Sequence, residues 1–335
     1  MLWIQPELYP MSMKDFPFLI QRRLTNEIRG FLLRHGLTGT SGLNLRFLFT
    51  TSHGVFFFDR GKIKKLIDSP HFGITSFEKD TIIVARRVAS RDSQRSGVFS
   101  YHFDGDKFSD RKEIKFHNSA GTRLQPFGIH QLRILNGYLW VVNTRENVVW
   151  KCTPDGKVLV EWTEEEKMPF DESNLKKSNV LRKNTQEYRH YNSITYHDKH
   201  YYILAHNCTQ DHDDLTKTSY IVKLDEQLQI VEKMTEVGRA CHDLLFIDQT
   251  LFICNSREGS LMKDGQPIVQ LNAFLRGLGK IGSIMVVGGS QFEVKRSARE
   301  SSVSKLFFID YPAARLLLTV ELGRVGNILD ILILD

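Results

Sequence analysis

A short turn recurs along this chain at a spacing that few folds use. Each copy contains an aspartate, followed directly by a glycine in three of the six, between two runs rich in β-branched and aromatic residues; the turns begin at Asp59, Asp104, Asp155, Asp225, Asp264 and Asp310. Aspartate and glycine supply the local hydrogen bonds and backbone freedom that tight hairpins need. The spacings are 45, 51, 70, 39 and 46 residues. A period of about 40–50 residues is typical of a four-stranded propeller blade.

The residues between the turns predict four strands per blade. Blade three is the clearest, with an inner strand over 129–134 and further strands over 138–143, 148–153 and 158–162. β-Branched and aromatic residues dominate these runs, as strands prefer. Because short hairpins join them without helical crossovers, the pattern argues against a parallel α/β sheet. A two-sheet sandwich remains the rival to a propeller.

The two ends of the chain together supply one more blade. Only three strands are predicted before blade two, over 46–51, 55–59 and 62–67, and one strand, 327–334, is left over at the C-terminus. Pairing them closes the ring and removes its open edges. We therefore predict an all-β, six-bladed β-propeller over residues 45–335. Residues 1–44 are predicted to be an N-terminal extension with a short helix around 20–35.

Composition and charge indicate the compartment and the partners to expect for this chain. The chain has 335 residues, of which 41% are hydrophobic and 25% charged, and a net charge of +6. Its four cysteines form no C-x-x-C pair, which suits a reducing compartment. There is no apolar run of about 18 residues and no signal-peptide pattern. We therefore expect a cytoplasmic protein with no membrane partner and, given the small positive charge, no nucleic-acid partner.

Polar residues stand at the start of three successive inner strands. When the blades are aligned on their second strands, His130, Asn192 and His242 fall at one equivalent position. Inner strands line the central channel, so these side chains are predicted to converge at one mouth. Two imidazoles and an amide could hold a divalent metal such as zinc, iron or calcium, or could simply bind water and backbone. The other blades contribute Gly73, Arg276 and Asn327.

Neighbouring residues supply candidates for acid–base chemistry. Gln131 and Asp243 each follow one of the predicted metal ligands, and His206 ends the second strand of blade four. We predict that these three act as catalytic partners or orient the ligands. His190 could add a further imidazole.

A loop motif repeats in two blades. Residues 143–147 of blade three match residues 255–259 of blade five, which places Arg145 and Arg257 at corresponding positions. Such arginines can bind an anionic ligand, together with Ser193 and Asn207. They can equally form structural ion pairs with nearby glutamates.

The blade phrases that begin at residues 129, 191 and 241 resemble six-bladed propellers of the NHL and gluconolactonase-like type. This resemblance implies one of three activities: a metal-dependent lactone hydrolase, a peptide-amidating lyase with histidine-bound zinc on the axis, or a module that binds RNA or protein without catalysis. The three axial histidines of the lyase are matched by His130 and His242, with Asn192 in the third place.

Two functions remain open. The first is a ligand-binding protein or metal-dependent small-molecule enzyme, of hydrolase or lyase type, acting at the channel mouth. No P-loop, dinucleotide fingerprint or nucleophile elbow is present, so nucleotide and serine-hydrolase chemistry have no support. The second is a non-catalytic module that binds a protein or polyanion. Its contacts would be the insertions at 164–189 and 290–304, with the basic residues Lys295, Arg296 and Arg299.

Overall fold

The computed structural model describes residues 45–87, 96–126, 128–164, 167–168, 189–206, 217–293 and 296–334. Within these ranges the chain forms six antiparallel blades of β-strands. The predicted N-terminal extension and its helix lie outside the described residues. No helix in the described part of the chain is long and apolar enough to cross a membrane.

The strands of each blade run in order from the ring axis outwards. Blade one contains β27 (Ile328–Ile333), β1 (Arg46–Thr51), β2 (Gly54–Asp59) and β3 (Lys62–Ile67). Blade two contains β4 (His71–Phe77), β5 (Thr81–Arg87), β6 (Ser96–Phe103) and β7 (Phe108–Ile114). Blade three contains β10 (Ile129–Leu135), β11 (Tyr138–Asn143), β12 (Val148–Cys152), β13 (Val158–Trp162) and the short β14 (Lys167–Met168). A small hairpin between blades two and three is formed by β8 (Phe116–His117) and β9 (Arg123–Leu124).

The remaining blades follow the same plan. Blade four contains β15 (Tyr191–His197), β16 (His200–Ala205), β17 (Tyr220–Leu224) and β18 (Ile230–Met234). Blade five contains β19 (His242–Ile247), β20 (Thr250–Asn255), β21 (Ser260–Lys263) and β22 (Gln266–Gln270). Blade six contains β23 (Phe274–Ile281), β24 (Ile284–Ser290), β25 (Ser304–Asp310) and β26 (Arg315–Gly323). In the part of the chain that the structure describes, two 3-10 helices lie in loops, at Thr144–Glu146 and Arg296–Ser301.

The ring is closed by strands from the two ends of the described chain. The C-terminal strand β27 pairs antiparallel with β1, from Phe47 opposite Ile333 to Thr51 opposite Ile328. Each inner strand contacts the inner strand of the next blade all the way around: β27, β4, β10, β15, β19, β23 and back to β27. The predicted six-bladed propeller and its closing strand are therefore confirmed.

The hydrophobic core lies between blades rather than in one central mass. Among the described residues the buried side chains form six clusters, and each cluster joins two neighbouring blades. The cluster between blades one and six, for example, contains Phe47, Phe308 and Ile331. A sandwich would instead have one core between two sheets. With the core between the blades, the ring axis can also hold polar residues.

The inner strand of blade six, β23, is not apparent from the sequence. It contains Gly277 and Gly279, and glycine lowers strand propensity. The structure shows why they are there, because β27 packs against them. A Cβ atom added to Gly279 would lie 2.5 Å from Ile333 Cδ1, and one added to Gly277 would lie 2.8 Å from Ile331 Cγ1.

Candidate functional site

All six inner strands have an irregularity in their pairing within one residue of the same height. The register shifts between Ile129 and Gln131 in β10, between Tyr191 and Ser193 in β15, and at the corresponding points of β4, β19, β23 and β27. Such bulges change the direction of the side chains they carry. Two consecutive residues of an inner strand can therefore both contribute to the channel.

These residues form two layers. The upper layer, nearer the mouth where the inner strands begin, contains Phe72, His130, Asn192, His242, Arg276 and Leu329. The lower layer contains the residue that follows each of these: Gly73, Gln131, Ser193, Asp243, Gly277 and Asp330. The predicted equivalence of His130, Asn192 and His242 agrees with the regular part of these registers, because each lies two residues before an equivalent pair: Leu132 with Val141, Ile194 with Ile203 and Leu244 with Ile253. The sequence alignment was wrong in two other blades, where Phe72 and Leu329 occupy the upper layer in place of Gly73 and Asn327.

Four imidazoles meet at the upper layer and form what we call the histidine cluster: His130, His190, His206 and His242. Their rings form a closed circuit. The centroids of His130 and His190 are 5.0 Å apart, those of His190 and His206 4.5 Å, those of His206 and His242 4.6 Å, and those of His242 and His130 6.3 Å. The predicted ligands His130 and His242, and the predicted catalytic His206, thus lie in one cluster.

The hydrogen bonds of His242 determine where its proton sits. Its Nδ1 lies 2.9 Å from the carbonyl oxygen of Ala240 and 2.9 Å from Ser256 Oγ. The Ser256 hydroxyl donates to the carbonyl of Leu275 at 2.6 Å. Since both neighbours of Nδ1 act as acceptors, Nδ1 carries the proton. The Nε2 lone pair of His242 is buried and has no hydrogen-bond partner among the described residues.

His130 is oriented in the same way by Asn192. Asn192 Nδ2 donates to the carbonyl of Cys241 at 2.9 Å, so its Oδ1 must be the atom that faces His130 Nδ1, at 2.9 Å. An amide oxygen can only accept, and therefore a neutral His130 carries its proton on Nδ1. Asn192, predicted as a metal ligand, has both ends of its amide engaged in these contacts.

Two imidazoles of the histidine cluster, those of His206 and His242, are neutral and lie beside a cation. Burial lowers the pKa of His206 and of His242 well below its usual value of 6.5, and the charge of Arg276 lowers both further. Arg276 occupies the upper-layer position of blade six and is only 9% exposed. His206 Nε2, like that of His242, is buried without a hydrogen-bond partner in the described structure.

A network of charged residues lies below the histidine cluster. Arg133 donates through Nη1 to Asp330 Oδ2 at 2.8 Å and through Nη2 to Asp330 Oδ1 at 2.9 Å, and its Nη2 lies 3.5 Å from Asp243 Oδ1. Gln131 Nε2 donates to Asp243 Oδ1 at 2.8 Å. We call these four residues, Gln131, Arg133, Asp243 and Asp330, the polar plug.

The polar plug also binds the backbone of the inner strands around it. Asp243 Oδ2 accepts from Gly277 N at 2.7 Å, Gln131 Oε1 accepts from Ile194 N at 2.8 Å, and Asp330 Oδ2 accepts from Ile74 N at 3.1 Å. These bonds connect all six blades. Burial raises the pKa of Asp243 to about 6, with a further contribution from the charge of Asp330. Gln131 and Asp243, predicted to be catalytic, thus lie in a satisfied structural network.

The four residues predicted to bind a ligand do not form a cluster of their own in the described structure. The Arg145 side chain lies against Gly128, and Arg257 is exposed with its guanidinium carbon 4.2 Å from the centroid of Phe292. Ser193 is in the lower layer, and its buried hydroxyl has no partner within the described ranges. Asn207 lies outside the described residues, as do Lys295 and the side chain of Arg296.

Sequence reasoning missed Arg133 and Asp330 altogether. The available signal was a charged residue within an apolar inner strand, as in the run Ile328–Ile333 around Asp330. A charge is buried in such a strand only when it is paired. The importance of His190 was also underestimated, because it follows an insertion and lies outside the blade period.

Comparisons with known proteins support the fold. No protein-family model matches the sequence, and no curated protein matches it significantly. Among solved structures, the chain is similar in fold to a chain from the crystal structure of a nidogen/laminin complex, with 9% sequence identity and a TM-score of 0.56. The match covers 87% of this chain and 98% of that chain. A protein of unknown function from Bacteroides caccae has 12% identity and a TM-score of 0.55, and the match covers 87% of this chain and 99% of that chain. A protein from Lactobacillus plantarum has 10% identity, coverage of 87% and 99%, and a TM-score of 0.50. At such identities the likeness concerns the fold alone, so the NHL and gluconolactonase-like type stays a prediction.

Proposed function

We propose that the histidine cluster binds a divalent transition metal ion, and that the protein acts on a small molecule there as a metal-dependent hydrolase or lyase. The observation that carries this proposal is the state of His206 and His242. Both are buried and neutral, and their Nε2 atoms have no hydrogen-bond partner among the described residues. A buried polar nitrogen without a partner is costly unless something else binds it.

The orientation of the imidazoles supports a metal as that partner. Metal-binding histidines usually donate their second ring nitrogen to a carbonyl or another fixed acceptor. His242 does so to Ala240, and His130 does so to Asn192. In this proposal His206 and His242, with His130 as third ligand, hold the ion. Asn192 orients His130, which revises its predicted role as a ligand.

The donor set favours particular metals. Imidazole nitrogen suits zinc and iron, whereas calcium takes oxygen ligands. Two imidazoles on one zinc ion have centroids about 5 Å apart, given Zn–N distances of about 2.0–2.1 Å. The ring centroids of neighbouring imidazoles in the histidine cluster are 4.5–6.3 Å apart, which is near that value. No three His, Cys, Asp or Glu side chains of the described chain form a ready-made metal site, so binding requires the rings to rotate.

The polar plug determines how a ligand reaches this site. Because Arg133, Asp243 and Gln131 meet across the axis below the cluster, a ligand enters from the histidine side. A metal ion bound there would polarise a carbonyl group or activate water. The plug holds in position the backbone of the inner strands from which His130 and His242 project.

Elemental analysis tests the proposal. The purified chain is incubated with zinc or iron(II), dialysed and analysed. We expect about one metal ion per chain, and loss of that metal in His206→Ala and His242→Ala. His102→Ala is the matched control, because His102 is exposed and distant from the cluster in the blade plan. A wild-type chain without stoichiometric metal, or metal retained in both cluster variants, would contradict the proposal.

A further inference from the structure

We propose that a second ligand site, for inorganic phosphate or the phosphate group of a small molecule, lies on blade two between Arg86, Arg111 and Tyr101. The site is separate from the histidine cluster and needs no metal ion. It is carried by two arginines that share one phenyl ring without a carboxylate partner in the described structure. A buried imidazole nitrogen beside them, which has no hydrogen-bond partner there, is the second observation.

The strand register places these side chains on one face of blade two. In β6, Gly97 lies opposite Arg86 and Phe99 lies opposite Val84. Tyr101 follows two residues after Phe99, and residues two apart in a strand share a face. Val84, Phe99 and Tyr101 belong to the hydrophobic cluster between blades one and two. This face is therefore turned towards blade one.

The ring of Phe99 is positioned by a glycine. A Cβ atom added to Gly97 would lie 2.8 Å from Phe99 Cε2, so the ring lies directly over the Gly97 backbone. The guanidinium carbon of Arg86 is 5.1 Å from the centroid of this ring, and that of Arg111 is 4.1 Å from it. One buried ring thus holds two guanidinium groups close together by cation–π contacts.

These two positive charges have no counter-charge among the described residues. No ion pair there includes Arg86 or Arg111. The carboxylates near Arg111 in β7 are engaged elsewhere, because Glu113 accepts from Arg123 Nη2 at 2.9 Å and Asp110 accepts from the preceding serine. Like charges held this close repel each other. A bound anion would offset that repulsion, and guanidinium groups bind phosphate by charge-assisted hydrogen bonds.

Tyr101 supplies a hydroxyl donor at the same place. Burial raises the pKa of Tyr101 above its usual value of 10, although Arg111 and Arg86 both lower it. The hydroxyl is therefore protonated at neutral pH and lies near both guanidinium groups. Arg111 is exposed, and Arg86 and Tyr101 are half-buried, so an anion can reach all three from solvent.

His71 adds a hydrogen-bond acceptor beside Arg86. The two residues pair across β4 and β5, and His71 is fully buried. Its Nδ1 lies 2.6 Å from the carbonyl oxygen of Ser69, so Nδ1 carries the proton and Nε2 accepts. This Nε2 has no hydrogen-bond partner in the described part of the chain. Burial lowers the pKa of His71 to about 4, which keeps the ring neutral.

This acceptor favours phosphate over other anions. An anion bound by Arg86 can satisfy Nε2 of His71 only if it also carries a proton. Hydrogen phosphate and a singly protonated phosphate monoester do so, whereas sulfate and a carboxylate have only acceptor atoms. The combination of two guanidinium groups, a phenol and a neutral imidazole is therefore suited to a protonated phosphate group.

Four anions test the chemistry of the site. Binding of inorganic phosphate, methyl phosphate, sulfate and acetate is measured by calorimetry on metal-free protein, because a bound metal ion would itself bind phosphate. At about pH 6 both phosphate compounds are at least partly protonated. We expect inorganic phosphate to bind about tenfold more tightly than sulfate or acetate, the difference expected for one hydrogen bond to a charged group. Phosphate that binds no more tightly than these two anions, or does not bind, would overturn the inference.

Methyl phosphate distinguishes the two sources of the phosphate group. If it binds as tightly as inorganic phosphate, the site accepts a phosphate group carried by a larger molecule. If it binds about tenfold more weakly, the site takes the free ion. Both results support a phosphate site.

Variants assign the binding to this face of blade two. Arg86→Gln and Arg111→Gln should each weaken phosphate binding about tenfold, because each removes a charge-assisted contact. Lys112→Gln is the matched control, since it removes the same charge from the same strand but pairs with Ser100 on the other face. Arg111 and Lys112 are both exposed, so this pair remains decisive if Arg86→Gln disturbs folding. Equal effects of Arg111→Gln and Lys112→Gln would overturn the inference.

The outcomes are separable from those of the metal proposal. Phosphate binding that depends on Arg111 and is unchanged in His206→Ala and His242→Ala supports this site even if no metal ion ever binds. Phosphate binding that is lost in the two histidine variants but unchanged in Arg111→Gln would overturn this inference and leave the metal proposal standing.

Discussion

Arg133 of blade three and Asp330 of blade one bind each other through two parallel hydrogen bonds, of 2.8 Å and 2.9 Å, although 197 residues separate them in the chain. The Asp330 side chain is 1% exposed and that of Arg133 is 22% exposed. The pair therefore joins two blades that are not neighbours, in the interior of the ring.

Replacing Arg133 by methionine should destabilise the fold. Removing one partner of a buried ion pair leaves an uncompensated charge, and the expected loss is about 3–5 kcal/mol in free energy of unfolding. Urea denaturation measures it. Arg315→Met removes a pair with Asp310 in which the Arg315 side chain is 62% exposed, and should change stability by about 1 kcal/mol or less. Equal denaturation midpoints for both variants would show that the polar plug does not stabilise the ring.

Asp243 should make stability depend on pH in a defined window. Its pKa is about 6 in the folded chain and 3.8 in the reference state, so the folded chain retains a proton that the unfolded chain has released. The stability that this contributes is present below about pH 4 and is lost as the pH rises through about 6.

The Asp243→Asn variant tests the direction in which stability changes with pH. His206 and His242 contribute a change of the opposite direction, but this contribution is present in both proteins and cancels when the variant is compared with the wild type. The wild type should lose about 2–3 kcal/mol relative to the variant between pH 4 and 7. Denaturant titrations at several pH values measure the difference. Asp155→Asn, at an exposed turn, should leave the slope unchanged. If the stability of the wild type relative to Asp243→Asn increases with pH, the pKa of Asp243 is not raised.

Gly277 should be far less tolerant of alanine than Gly265. The two have nearly the same φ, 79° and 80°, so both variants lose about 1–2 kcal/mol from the left-handed conformation. Only at Gly277 would the new Cβ meet another blade, 2.8 Å from Ile331 Cγ1. We expect a further loss of about 1–3 kcal/mol there, measured by thermal denaturation. Similar melting temperatures would mean that β23 and β27 are not packed as described.

The closing strand should be essential for folding. Ile328, Leu329 and Ile331 are all buried in β27. Burying each such side chain stabilises the fold by about 1.5–3 kcal/mol. The net stability of a whole domain is only about 5–15 kcal/mol. Deleting residues 327–335 should therefore give insoluble or unfolded protein, as judged by circular dichroism of the soluble fraction. Ile331→Ala should cost about 2–5 kcal/mol, while Leu316→Ala, 41% exposed, should be nearly neutral. A soluble deletion variant with an unchanged melting temperature would show that the ring is not closed by β27.

Local patterns in the sequence were enough to predict the blades. Turn residues and alternating strands depend on contacts within a hairpin, and so Arg46–Thr51 and Tyr138–Asn143 were predicted with the bounds that the structure shows. The closing strand followed from the same pattern, because one strand remained at one end and three at the other. The equivalence of His130, Asn192 and His242 followed from the blade period.

Tertiary structure alone decided how those residues are used. The strand β23 was missed because its glycines are explained only by the approach of β27. Arg133 and Asp330 meet across the ring, and His190 and His206 join the cluster from loops that do not follow the repeat. Ala240 and Ser256 determine which nitrogen of His242 carries the proton, and Asn192 orients His130, so these features depend on contacts within and between blades. A periodic sequence determines the blades because their hydrogen bonds are local, whereas the chemistry of the axis arises from side chains that only the closed ring brings together.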